Sequence, residues 1–207
     1  MKKTLILISM IAMSTVAVAQ KGSWWAGGNV GFGSSTSKDA NDNKTTITNW
    51  NFGPEVSTFL KDDIQLGLVL GLGGSKEKND DGDISSSTNL GPTVYVRKYW
   101  KFTDNFSGFA GLYLNYLGGS TTLFDTPVQG TDTKFKQSGF GARIGVGVAY
   151  AIAPRFNLVG QYGILGWQSV KTTSEGNDIS TDSNFGLNVN TTGTSVFNVG
   201  IYYTFLQ

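Results

Sequence analysis

The sequence predicts an all-β protein, a closed eight-stranded antiparallel up-and-down β-barrel. Three observations predict it. Apolar and small or polar residues alternate with period two in eight successive segments. The connections between those segments alternate between short and long. The bulky apolar residues share one face, and Gly, Asn, Ser and Thr share the other, the reverse of what a water-soluble barrel needs.

The chain starts Met1-Lys2-Lys3, runs apolar over 5–13 and reaches Ala17-Val18-Ala19 followed by Gln20. A charged start, a short apolar segment and an A-x-A site read as a secretory signal peptide. The apolar run is too short to span a bilayer. Residues 1–19 are therefore expected to be removed and 20–207 to form one barrel domain. The chain has no Cys, which excludes disulfides, thiolate metal sites and a lipidated cysteine, and it has no His. The formal charge of +1 becomes −1 when Lys2 and Lys3 leave with the leader, so nothing in it points to nucleic acid.

The first segment sets Trp24, Ala26, Gly28, Val30 and Phe32 against Trp25, Gly27, Asn29 and Gly31. The second opposes Trp50, Phe52, Pro54, Val56 and Leu60 to Asn49, Asn51, Gly53, Glu55 and Ser57. In the third, Ile64, Leu66, Leu68, Leu70 and Leu72 alternate with Gln65, Gly67, Val69, Gly71 and Gly73. The fourth has Leu90, Pro92, Val94 and Val96 against Asn89, Gly91, Thr93, Tyr95 and Arg97. The fifth has Phe106, Ala110, Leu112, Leu114 and Tyr116 against Ser107, Phe109, Gly111, Tyr113 and Asn115. The sixth sets Phe140, Ala142, Ile144, Val146, Val148 and Tyr150 against Gly139, Gly141, Arg143, Gly145 and Gly147. The seventh is the least regular, with Phe156, Leu158, Tyr162 and Ile164 opposite Asn157, Gln161 and Gly163. In the eighth, Phe185, Leu187, Val189, Phe197, Val199, Ile201, Tyr203 and Phe205 share one parity, and 191–194 is a candidate interruption. A helix cannot use these patterns, because leucines at every second position spiral around it and leave no coherent face.

Short turns fall at 61–63, 101–105 and 153–155, and long polar connections at 34–45, 74–86, 118–137 and 169–184. This is the rhythm of a barrel with two differently specialised rims, both termini on the short-turn side. Charges decide what the apolar face meets. Within the segments only Glu55, Arg97, Arg143 and, near an end, Lys98 are charged, and the first three lie on the small-residue face. A Lys or Arg at mid-bilayer on the lipid side costs about 2–4 kcal/mol, so this distribution suits a transmembrane β-barrel. Aromatic girdles are expected at the two interfaces, with Trp24, Trp100 and Tyr150 at the short-turn rim and Trp50 and Tyr116 at the other.

With the eight segments placed, the chain resembles the small bacterial outer-membrane barrels typified by OmpA and OmpX. The most specific residues are Asn198, Gly200, Tyr203 and Phe205, which match that family's polar-x-Gly-x-x-aromatic-x-aromatic assembly signal; Leu206 and Gln207 follow it. The resemblance implies an outer-membrane location, termini in the periplasm, long loops outside, and contact with lipid, lipopolysaccharide and the outer-membrane assembly machinery.

Enzymatic chemistry is not expected, since without His or Cys the Ser–His and Cys–His arrangements cannot be built. No cofactor or metal is expected; Asn79-Asp80-Asp81-Gly82-Asp83 lacks the later bidentate Glu of a calcium loop. The candidate constellation is Glu55, Arg97 and Arg143 as an ion-paired lumen network, opposing strands bringing Glu55 to Arg143. Asn29, Tyr95, Tyr113, Gln161 and Tyr202 are the expected fillers around it. The function expected is structural or surface-interacting, with loops meeting an unidentified extracellular partner. The alternatives are a narrow pore, favoured by the lumen glycines, and a soluble ligand-binding barrel with its apolar face inward.

Overall fold

A computed structural model describes residues 21–38, 42–80, 82–124, 132–174, 177–187 and 197–205. The expected leader at 1–19, the candidate interruption at 191–194 and residues 206–207 lie outside them. Among the described residues there are nine strands: β1 (Trp24–Lys38), β2 (Lys44–Lys61), β3 (Ile64–Asn79), β4 (Gly82–Lys101), β5 (Phe106–Leu123), β6 (Thr133–Ala153), β7 (Phe156–Ser174), β8 (Asn177–Leu187) and β9 (Phe197–Phe205). Each of β1 to β7 pairs antiparallel with the next, and β9 joins β7 to β1. The result is a ring of eight positions. The eighth is shared by β8 against the far half of β7 (Leu165–Ser174) and β9 against its near half (Phe156–Tyr162). Closure rests on five pairs, Trp24↔Phe205 through Gly28↔Ile201.

Burial runs inside out. Leu66, Leu68 and Leu70 are exposed while their neighbours Gln65 and Gly67 are buried, and Gln65 and Arg97 are 0% exposed. The same inversion recurs on β4 at Val94 and Val96, on β5 at Leu112 and Leu114, and on β6 at Ile144, Val146 and Val148. A water-soluble monomer does not carry an apolar belt around its whole circumference; in hydrocarbon the belt needs no cover, and β9 closes the ring by pairing with β1 over Trp24–Gly28 and with β7 over Phe156–Tyr162. Aromatics edge the belt. Trp24, Trp100 and Tyr150 are exposed at the short-turn rim, where Phe156, Tyr203 and Phe205 stack in series with ring centroids 5.2 and 4.8 Å apart. Trp50 and Tyr116 are exposed toward the opposite rim, Tyr116 edge-on to Phe140 at 5.2 Å.

Two features depart from the sequence reading. The polar stretches read as long connections are largely strand: β3 and β4 run on to Asn79 and Gly82, and β7 and β8 to Ser174 and Asn177. Both faces are polar there, so period-two alternation disappears while the backbone ladder continues. Hydroxyl pairs such as Thr36–Thr46 (3.1 Å) and Ser75–Ser87 (2.8 Å) stitch it. In β7 the ladder to β6 slips by one, since Ile144 pairs with Leu165 and Gly145 with Gly163, leaving Ile164 as the extra residue. This bulge reverses the parity and turns Trp167 outward, 43% exposed, beside Phe185.

At the tip of the β3–β4 hairpin, Asp83 accepts from Lys76 at 2.6 Å and from Lys78 at 3.4 Å. The Lys76 ammonium holds this exposed carboxyl below the ordinary value of 3.8. A depressed folded-state value means that the pairs stabilise the tip above about pH 3.8 and are lost as pH falls through Asp83's lower midpoint. A carboxyl-detected NMR titration should place the Asp83 midpoint below those of unpaired aspartates, and K76A should move it toward them, with Lys78 retaining part of the depression.

Candidate functional site: the barrel lumen

The inward parity of each strand delivers its residues to one axis, and they stack in three levels. At the short-turn end lies an aromatic floor. Trp25 (β1) packs edge-on against Phe59 (β2) at 5.2 Å and near Tyr99 (β4) at 6.1 Å, and Tyr99 meets Phe109 (β5) at 5.1 Å. All four are buried, together with Ala149, Val159 and Tyr202. Asn157 donates to Thr204 (2.9 Å) in the same region, joining β7 to β9. The sequence reading assigned these aromatics to the inner face or left them unplaced, but did not gather them. The signal was available: Trp25, Tyr99 and Phe109 share parity with inward-facing glycines, Tyr95 and Arg97, and bulk on that face at one end means a filled core.

Above the floor sits a polar layer centred on Arg97. Its Nη1 donates to Glu55 Oε1 (2.9 Å), completing an ion pair whose side chains are 0% and 4% exposed. Its Nε donates to the Tyr113 hydroxyl (3.0 Å) and its Nη2 to Gln161 Oε1 (3.1 Å). Glu55 is also the acceptor for the hydroxyls of Tyr95 and of Tyr202, the latter at 2.9 Å on Oε2. Gln65 accepts from Tyr99 (2.8 Å) and donates to Ser57 (2.8 Å). The guanidinium lies 3.9 Å from the Tyr95 ring centroid. One connected network thus links β2, β3, β4, β5, β7 and β9 across the lumen. A buried charge pair is tolerated only when its remaining donors and acceptors are met, and here they are.

Glycines make room for this layer. A Cβ on Gly67 would stand 2.2 Å from the Tyr95 ring, one on Gly147 2.3 Å from Phe109, and one on Gly200 2.9 Å from Tyr202. These inward glycines are seats for rings borne on the same or a neighbouring strand, not open channel wall.

Of the expected trio, the structure joins Glu55 to Arg97 and leaves Arg143 apart. No salt bridge within 4.0 Å involves Arg143 among the described residues; its guanidinium stacks on Tyr113, 4.7 Å from the centroid. Both Glu55 oxygens are already engaged, and Arg143 stands beside Tyr113 in the β5–β6 ladder, while Glu55 stands beside Gly27 and Val69. Among the expected fillers, Tyr95, Tyr113 and Tyr202 are buried and Gln161 is bonded to Arg97, as above. Asn29 sits higher, against Gly53. Of the terminal pattern, Asn198 and Gly200 face inward along a cavity of about 470 Å³ above the network, while Tyr203 and Phe205 belong to the outer girdle.

The family model "Outer membrane protein beta-barrel domain" matches residues 4–205. Among solved structures, the chain is similar to the outer membrane protein OprG from Pseudomonas aeruginosa, with 18% identity and a TM-score of 0.50. The match covers 93% of this chain and 100% of that one. It is also similar to the outer membrane protein W of E. coli, with 18% identity and a TM-score of 0.46, over 90% of this chain and 99% of that one. At such identities the likeness concerns the fold alone. No curated protein matches the chain.

Proposed function

This chain belongs to the outer membrane protein beta-barrel family, and we propose that it is a plugged barrel whose transmembrane part anchors and whose long hairpins act at the cell surface. The Arg97–Glu55 network on its aromatic floor supports this reading above all, because it occupies the axis and is tied to the walls on six strands. An eight-stranded barrel is just wide enough for side chains to fill, and at the level of the network the inward glycines Gly67, Gly147 and Gly200 are covered by rings.

The orientation follows from the rims. The three short turns and both ends of the ring lie on one side, assigned to the periplasm, and the extended hairpins on the other, assigned to the exterior. The apolar belt meets outer-membrane lipid and lipopolysaccharide, and the terminal strand β9 presents its Tyr203 and Phe205 rings to the assembly machinery. The extracellular partner is engaged by the Ser-, Thr- and Lys-bearing hairpin extensions. In planar bilayers the purified barrel should show no steady conductance; sustained nanosiemens openings would replace the plugged reading with a narrow pore.

A further inference from the structure

The cavity above the plug has a composition the anchoring role does not use. Its volume of about 470 Å³ falls in the range of about 300–1,000 Å³ that small-molecule sites occupy. Carboxamides of Asn29, Asn51, Asn89, Gln168 and Asn198 share the wall with glycines and apolar side chains; Arg143 enters from β6, and Glu55, already paired with Arg97, lies at the base.

Two observations point to an occupant. First, the charges do not cancel. Glu55 is matched by Arg97, whereas Arg143 has no carboxylate in ion-pair reach among the described residues. The lumen therefore carries one surplus positive charge, and a low-dielectric cleft focuses that field on an entering anion. Second, hydrogen bonds are left unmade. Asn51 Oδ1 and Gln168 Oε1 are buried with no hydrogen-bond partner among the described residues. Buried acceptors without donors are costly, and rotation of these two carboxamides about their side-chain bonds would bring them to donors on an occupant of the cavity they line. Each carboxamide both donates and accepts, as a hydroxyl does, while a guanidinium only donates, to paired oxygens.

We propose that this cavity is a binding cup for a small polyhydroxylated monoanion of the sugar-acid class, with Arg143 taking the carboxylate and the surrounding carboxamides taking the hydroxyls. Apolar compounds are disfavoured, because they would cover the amides without bonding them. The single unpaired cation suits one carboxylate rather than a doubly charged group.

The test uses the full barrel folded in detergent micelles, with glucuronate, glucose and propionate as probes, read by calorimetry and by NMR of the side-chain amides. Glucuronate should bind saturably. Glucose lacks the charge and propionate lacks the hydroxyls, so each should bind at least roughly tenfold more weakly. R143Q should weaken glucuronate by about tenfold or more while leaving the response to glucose unchanged. R143K, which keeps the charge and loses the fork, should fall between and serves as the readout if R143Q does not fold. Absence of a saturable glucuronate response, a propionate response of equal strength, or wild-type affinity in the Arg143 variants overturns the proposal. Bilayer conductance tests the plug separately, so a conducting barrel that binds glucuronate and a closed one that does not are distinguishable results.

Discussion

Replacing Glu55 by Ala should lower the stability of the folded barrel by about 3–5 kcal/mol, the range for breaking a buried ion pair by removing one partner. Arg97 is fully buried, and Glu55 is its one carboxylate partner within 4.0 Å among the described residues. Truncation leaves a guanidinium without its counter-charge and two tyrosine hydroxyls, of Tyr95 and Tyr202, without their acceptor. Relief by local solvation is limited, since the aromatic floor closes one side. E55Q should cost less than E55A, because the amide oxygen still accepts a hydrogen bond although the charge is lost. Removing both charges in E55A/R97M should recover much of the loss, since a buried pair replaced by apolar groups is often close to neutral. Urea unfolding in lipid vesicles, followed by heat-dependent gel mobility, measures all three. An E55A midpoint equal to wild type would mean that the network contributes nothing to stability.

The second large effect is expected at Gly28, where the ring closes. Gly28 is the last β1 residue paired with β9, its φ is +146°, and a Cβ there would stand 2.1 Å from the Gly53 carbonyl oxygen. G28A should therefore combine backbone strain of about 1–3 kcal/mol with a steric cost of about 1–3 kcal/mol. Both fall on the seam that holds the barrel shut with five pairs. An opened seam exposes unpaired backbone to hydrocarbon, so the loss should appear as a reduced folded fraction and faster amide exchange in β9. Gly33, on the same strand, has nothing within 4 Å of its would-be Cβ. G33A should change stability by less than about 0.5 kcal/mol. Equal effects at the two sites would remove the seam argument.

The two glycines look alike in sequence, and so do many parts of this chain whose roles differ. Parity put Glu55, Arg97, Tyr95, Tyr113 and Tyr202 inside before any coordinates, because a strand has only two faces. Parity did not say that Glu55 meets Arg97 rather than Arg143. That choice depends on the stagger between strands and on how far a side chain leans along the axis. A guanidinium on β4 reaches a carboxylate on β2 past β3, whose Gln65 also accepts from that guanidinium and donates to Ser57 on β2. The hairpin extensions were read as loops for a related reason: above the membrane both faces meet water, and a strand polar on both sides carries no period.

Alternation, together with the near absence of charge from one face, was enough to establish the eight positions of the ring, their up-and-down order and the lipid-facing side. These are local properties, written every second residue and independent of the partner strand. The ladder slip at Ile164, the division of the eighth position between β8 and β9, the glycine seats under tyrosine rings and the isolation of Arg143 emerged only on closing the ring. Each depends on which residues far apart in the chain come level across the wall or the axis, and a periodic pattern of two residue classes holds no record of that.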